Sequence, residues 1–294
     1  MEDYGTQLGP FFRHIRQRRG LKIRDVAAGV SETTLSRFER GQIDLTVAKL
    51  APAVEAAEID PDDIFMSSNQ AKQAYNTAFE RETAAIVAMD SDTATAALKA
   101  YRAATAHMTL PLRKYNLIVL GYRAVGIAEP FVRLSDEDES DIVKFLTVDD
   151  DWHRFEYELF ANTVYFMSKH GAERCQRLMQ RSYKKRRHPA DERQAYTKAM
   201  IVAIRRPLAD RDLETAAEIL RDLRNLGLDN CQPVLHAGMV SSQLLYNYLQ
   251  DETAANLQAL EDYLQAVRTI GSGDLADMTS HWLKAIGIPL QESK

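Results

Sequence analysis

Two groups of residues in this chain have the types and spacing for recognition chemistry. The first lies between Ser31 and Gly41. Over Glu32–Arg40, Leu35 and Phe38 stand three apart and form one stripe of a helix. Glu32, Thr33, Ser36 and Arg37 then point the other way, toward whatever the helix meets. An arginine there can grip guanine O6 and N7 together, so Arg37 is the best candidate for reading a base edge in a major groove. Thr33 and Thr34 suit a thymine methyl or a phosphate, and Arg13, Arg24, Gln42 and Lys49 suit phosphates. Arg16 joins this DNA-facing set from the basic side of the preceding helix. It is also the candidate partner of Glu39, and the arginine cluster around it also reads as an ordinary solvated face. Local charge favours DNA. From Gly5 to Lys49 there are nine Lys/Arg and four Asp/Glu, a net of +5, whereas residues 50–66 carry five acids and no base.

Those side chains need a scaffold. Gln7–Arg19 reads as a helix with Leu8, Phe11, Phe12 and Ile15 on one face, ended by Gly20. A short helix follows over Ile23–Ala28, then a tight Gly29-Val30 turn, with Ser31 as N-cap of the next helix. Thr46–Ala57 and Pro61–Phe65 complete a five-helix bundle. Two helices across a glycine turn are a helix-turn-helix signature. The segment resembles the Cro/repressor-type helix-turn-helix family, although Ala27, Ala28 and Gly29 are adjacent where the broad pattern spaces Ala and Gly by four, which shortens the second helix. More narrowly, VSETTLSRFERGQIDLTVAKL resembles the N-terminus of the Rgg/GadR/MutR transcriptional regulators of Gram-positive bacteria, with SRFERGQ the most specific stretch. Residues 1–66 are therefore expected to be a DNA-binding domain.

The second group sits on a repeat. Asp60-Pro61 and Ser67-Ser68-Asn69 mark a boundary, and a long helix is expected over Gln70–Met89. Beyond it, breaks fall near Leu110-Pro111, Asp149–Asp151, Pro189–Asp191 and Asp229–Cys231, intervals of about 40 residues. Secondary breaks are expected at Asp90-Ser91, Ser135-Asp136, His170-Gly171, Ala209-Asp210 and Asp251. Such a period implies stacked helix pairs, an all-α array over residues 67–294 that resembles a right-handed tetratricopeptide-like repeat with Ala216 and Leu220 at tight helix–helix spacing. First helices of successive pairs then line a concave face. A shift of 40 aligns Tyr122, Asn162, Val202 and Ser242, and beside them Arg123, Thr163, Ala203 and Gln243. An Asn amide can both donate to and accept from a peptide unit, and an Arg can hold a carboxylate. Tyr122, Arg123, Arg154, Asn162, Tyr246 and Asn247 are accordingly the candidates for binding an extended peptide; each also reads as a locally satisfied polar residue. The Rgg-like resemblance extends to WHRFEYELFANTVYFM (152–167). It implies a helical array that binds short secreted peptides re-imported into the cell and mediates homodimerisation.

Composition narrows the remaining classes. Of 294 residues, 45% are hydrophobic and 27% charged, with only 13 Gly and 9 Pro, so a helical globular chain is expected rather than a disordered or turn-rich one. The net charge of −5 argues against bulk polyanion binding. Two cysteines, 56 apart, make no disulfide framework and suit a reducing cytoplasm. No apolar run approaches membrane-spanning length. No GxSxG, phosphate-cradling loop or HExxH occurs, so neither enzyme activity, cofactor nor metal is expected. Lys184–His188 could touch DNA flanks but reads better as a solvated helix end, and the acidic run from Asp136 to Asp141 suits a helix N-terminus. Together these readings give a cytoplasmic, homodimeric regulator of double-stranded DNA at an inverted-repeat promoter site, controlled by a short signalling peptide. The alternative is a protein-interaction scaffold in which the helix-turn-helix plays a minor part.

Overall fold

The computed structural model describes residues 4–61, 63–64, 69–226 and 233–291. Among them every regular element is a helix, and no helix is long and apolar enough to cross a membrane. Contacts divide the chain into two units. One runs to Thr77 and takes in Ala104–Met108; the other holds Ala78–Ala103 and the residues from Thr109 onward. Residues 65–68, where the sequence sets its boundary, lie outside the described residues.

In the first unit, α1 spans Tyr4–Arg18, α2 Ile23–Val26, α3 Glu32–Glu39 and α4 Val47–Ala56. Pro61, Asp63 and Ile64 are helical too, while Asp62 and Phe65 of the expected fifth helix lie outside the described residues. α2 is a single turn, shorter than Ile23–Ala28. Gly29 follows with φ 78°, a left-handed conformation that glycine adopts without a Cβ clash. Ser31 then caps α3, its hydroxyl accepting the Thr34 N–H at 3.1 Å. Phe12, Val26, Leu35, Phe38, Ala53 and Ile64 are at most 1% exposed and form the bundle core. Burying Leu35 and Phe38 stabilises the seat of α3 by about 1.5–3 kcal/mol each. Gly9 lets α1 approach closely, since a Cβ there would stand 1.8 Å from the Phe38 carbonyl oxygen.

In the second part of the chain, α5 spans Gln70–Val87, α6 Ser91–Ala104, α7 Arg113–Ala128, α8 Asp136–Leu146, α9 Arg154–Thr163 and α10 Lys169–Tyr183. Ala190–Ala203 is α11, Arg205–Ala209 α12, Leu213–Asn225 α13, Pro233–Gln250 α14, Ala254–Thr269 α15 and Gly273–Ala285 α16. α7, α9, α11 and α14 pack side by side, while α8 and α10 pack on each other as a second layer. This is the expected array of helix pairs. Its core centres on Trp152, Tyr157 and Phe160, with the Trp152 ring 5.7 and 5.8 Å from the other two. Trp152 Nε1 donates to the Leu146 carbonyl at 3.0 Å, which satisfies the indole inside the core. Most expected breaks fall at helix ends. One does not: His170 and Gly171 lie inside α10, which starts after a 3-10 turn over Val164–Phe166 and is capped by Ser168. The Ser168 hydroxyl accepts the Gly171 N–H, so the glycine continues the first turn instead of ending a helix. The expected break at Asp229–Cys231 lies outside the described residues.

Candidate functional site

On α3 the outward side matches the sequence. Glu32, Thr33 and Arg37 are exposed, Thr34 and Ser36 half-buried. The Thr34 hydroxyl hydrogen-bonds Ser31 Oγ at 2.8 Å, and Ser36 Oγ accepts from Arg40 at 3.1 Å, so these two side chains brace the helix ends. Glu32, Thr33 and Arg37 make no side-chain hydrogen bond or ion pair among the described residues. Arg13, Gln42 and Lys49 are exposed as well, and Arg24 is exposed beside Asp25 at 3.6 Å.

Arg16 departs from the DNA-facing set. It is 6% exposed; its Nε and Nη2 donate to the two carboxylate oxygens of Glu39 at 2.5 and 2.8 Å, and Nη1 donates to the Leu21 carbonyl at 2.6 Å. All its donor edges serve the fold, and the Glu39 carboxylate holds its pKa above the usual guanidinium range. This fork clamps α1 to the last turn of α3. Arg19 has a similar role, with Nη1 donating to the Ala57 carbonyl at 2.5 Å. The basic run before Pro189 follows the end of α10 with Lys184, Lys185 and Arg187 exposed, while part of it is paired with acids of the fold. Lys185 bonds Asp150, Arg186 reaches Glu192 at 2.8 Å, and His188 is buried against Glu192 at 2.8 Å.

In the helical array the structure brings Arg123 and Asn162 together, with Arg123 Nη1 3.5 Å from Asn162 Oδ1. The guanidinium also donates to Glu82 at 2.7 Å and Thr83 at 2.9 Å and lies 4.3 Å from the Phe79 ring centre. Glu82 is fully buried, and its Oε1 has no hydrogen-bond partner among the described residues. Burial pushes its carboxyl up to about 7 despite the Arg123 charge. Sequence reasoning missed Phe79 and Glu82 on α5: a shift of 40 carries Glu82 onto Tyr122 and Phe79 onto Val119, but the rows drawn from the sequence begin only at α7. Tyr122 hydrogen-bonds inward, donating to Asp138 and accepting the Ser135 N–H at 2.9 and 2.7 Å. Arg154 is exposed and pairs with Glu158 at 2.7 Å, while Asn247 Oδ1 accepts from Gln243 at 2.8 Å. Tyr246 is half-buried against the core. Ser242 departs from its row: it is buried, with its hydroxyl donating to the Gly238 carbonyl at 2.8 Å. Among the described residues no cluster of His, Cys, Asp or Glu could hold a metal, and burial pushes the Cys175 thiol up to about 12, which leaves it unreactive.

A bundle with this clamped second helix, in one chain with a helical-repeat array, defines a helix-turn-helix regulator of transcription. A helix-turn-helix domain model matches residues 7–64, and the model described as HTH-type transcriptional regulator Rgg, C-terminal domain, matches residues 99–281. The chain belongs to the Rgg family, and so to regulators of transcription rather than enzymes. Solved structures share the fold from end to end. The SHP pheromone receptor Rgg2 of Streptococcus dysgalactiae superposes with a TM-score of 0.69 at 17% identity, covering 95% of this chain and 99% of that one. A Listeria monocytogenes EGD-e protein described as a transcriptional regulator gives 0.72 at 17% identity, covering 96% and 97%. A bacterial peptide pheromone/receptor complex gives 0.64 at 13% identity, covering 97% and 99%. No curated protein sequence matches the chain.

Proposed function

We propose that this chain is a cytoplasmic, homodimeric regulator that binds an inverted-repeat promoter site through α3. Its activity is set by a short signalling peptide held along α7, α9, α11 and α14. The observation that carries the DNA half is α3 itself. It is pinned by Leu35, Phe38 and the Arg16–Glu39 fork, and it presents Glu32, Thr33 and Arg37 unpartnered among the described residues. A fixed rod with one guanidinium free to meet a guanine is the minimum a major-groove reader needs. Arg13, Arg24, Gln42 and Lys49 are the phosphate contacts in this reading. Two-fold symmetry would set two such rods roughly 34 Å apart, or a multiple of that. The peptide half is supported by the fold shared with pheromone receptors and by the polar groups gathered around Arg123 and Asn162. A peptide regulates only if it binds two arrangements of the dimer with different affinity.

Fluorescence polarisation on duplexes carrying the inverted repeat from the chain's own promoter region tests the DNA half. Arg37→Ala should weaken binding by about 1–3 kcal/mol and relax preference at one base pair, whereas Lys49→Ala should weaken all sequences evenly. Equal loss on every sequence for Arg37→Ala would make it a phosphate contact, and no duplex binding at low salt would end the reading.

A further inference from the structure

A shift of 40 residues lays Glu158, Asn162 and Tyr165 on Lys198, Val202 and Arg205. All six are half-buried, and within each trio the spacing i, i+4, i+7 makes one helical stripe. The second stripe crosses from α11 to α12 without losing register. Ile204 keeps helical backbone angles (φ −70°, ψ −24°), and the Ile204 and Leu208 N–H groups keep their bonds to Met200 and Ile204. The interruption has a covalent cause, since Pro207 has no N–H to offer the Ala203 carbonyl.

The two stripes differ in how their polar groups are met. On α9 and the turn after it, Glu158 holds Arg154 at 2.7 Å, Asn162 is bonded at both ends of its amide, and the Tyr165 hydroxyl accepts Trp282 Nε1 at 3.1 Å. On the next rod, Lys198 Nζ lies 5.7 Å from the centre of the Phe79 ring and Arg205 Cζ 5.3 Å from the Trp282 ring. Among the described residues neither makes a hydrogen bond or an ion pair. Burial lowers the pKa of both, and the neighbouring Arg123 lowers that of Lys198 further. Glu158 is the carboxylate that acts on Lys198, and it is already engaged by Arg154. Two desolvated cations, each seated on an aromatic face and lacking an anion, are a cost to the free protein that a ligand can remove.

We propose that Lys198 and Arg205 are paired receptors for two carboxylates of the bound ligand, so that this face selects an acidic peptide. The inference rests on the peptide reading given above. It adds a spacing. Seven helical residues rise about 10.5 Å, which an extended peptide covers in about three residues. The two anionic groups should therefore lie three residues apart, with apolar side chains between them over Val202; the C-terminal carboxylate can serve as one.

Affinity selection with the full-length protein tests this, using a pool of randomised seven-residue peptides with free termini and reading retained peptides by mass spectrometry. Peptides with two carboxylates three residues apart should be enriched on the order of tenfold, the effect expected of a charge-assisted hydrogen bond. Lys198→Met and Arg205→Met should each abolish the preference at one of the two positions, while Lys198→Arg keeps it. Circular dichroism and thermal melts establish that each variant is folded; Lys198→Gln replaces Lys198→Met if the latter melts early. Retained peptides with no acidic preference, or a preference that survives both variants, overturn the inference and leave the peptide reading standing. No peptide retained at all overturns both.

Discussion

Arg16 shows how one residue can carry a DNA-binding composition and a structural role. It follows Phe12 by four positions, so it lies on the buried stripe of α1 rather than on the basic face. There it meets Glu39, which follows Phe38 at the edge of the α3 stripe. Removing one partner leaves the other buried and uncompensated. Arg16→Leu or Glu39→Leu should destabilise the first unit by about 3–5 kcal/mol, and the double variant should recover most of the loss, as thermal unfolding would show. Glu82 poses the opposite case, a carboxylate whose burial outweighs its arginine. Its folded value of about 7 lies above the ordinary 4.5, so the folded chain holds the proton more tightly than the unfolded one. The stability this contributes is complete below pH 4.5 and is lost as pH rises to about 7. Melting temperatures measured across that window should fall for the parent relative to Glu82→Gln. A difference that does not vary with pH would mean that Glu82 is ionised throughout.

At the scale of elements, the sequence located nearly every helix because stripes, caps and turn residues coincide. Ser31 caps α3 as expected, and Ser135 caps the helix that the acidic run begins, each accepting an N–H three residues on at 3.1 Å. Two features were hidden. A glycine after a histidine looks like a stop, but at Gly171 the Ser168 cap and the Glu139 carboxylate against it use the missing Cβ, because a Cβ would stand 2.4 Å from Glu139 Oε1. The period of 40 carries Tyr122 to Asn162 to Val202, all half-buried, but puts Ser242 inside the core, so the strict period does not extend to α14. Lys198 and Arg205 fall in neither of the two rows that a shift of 40 draws across the helices; they flank Val202 on the stripe that runs along α11 and α12. Glycine also separates helix approach from helix propensity. Gly9→Ala must push α1 off α3, since the new Cβ would overlap the Phe38 carbonyl, 1.8 Å to its oxygen and 2.7 Å to its carbon. It should lower the melting temperature and duplex affinity together. Gly121 lies inside α7 with nothing within 4 Å of an added Cβ, so Gly121→Ala should stabilise by about 0.5–1 kcal/mol and leave DNA binding alone.

At the scale of the whole molecule, charge is divided where composition averages it away. A chain of net −5 is repelled by DNA as a bulk object, yet residues 5–49 carry +5. Arg16 and Arg19 are tied into the fold, so the cations left for phosphate are fewer than that count suggests, with Arg13, Arg24 and Lys49 the exposed ones assigned to it. A dimer using these from both heads would neutralise about six phosphates, for a slope of log affinity against log salt of about −5. A duplex with only one half-site engages a single head and should give about half that slope at the same protein concentration. Polarisation titrations at several salt concentrations on both duplexes read the two slopes directly. Equal slopes would mean that one head binds whichever duplex is offered, and the two-fold arrangement proposed for the promoter complex would fail with it.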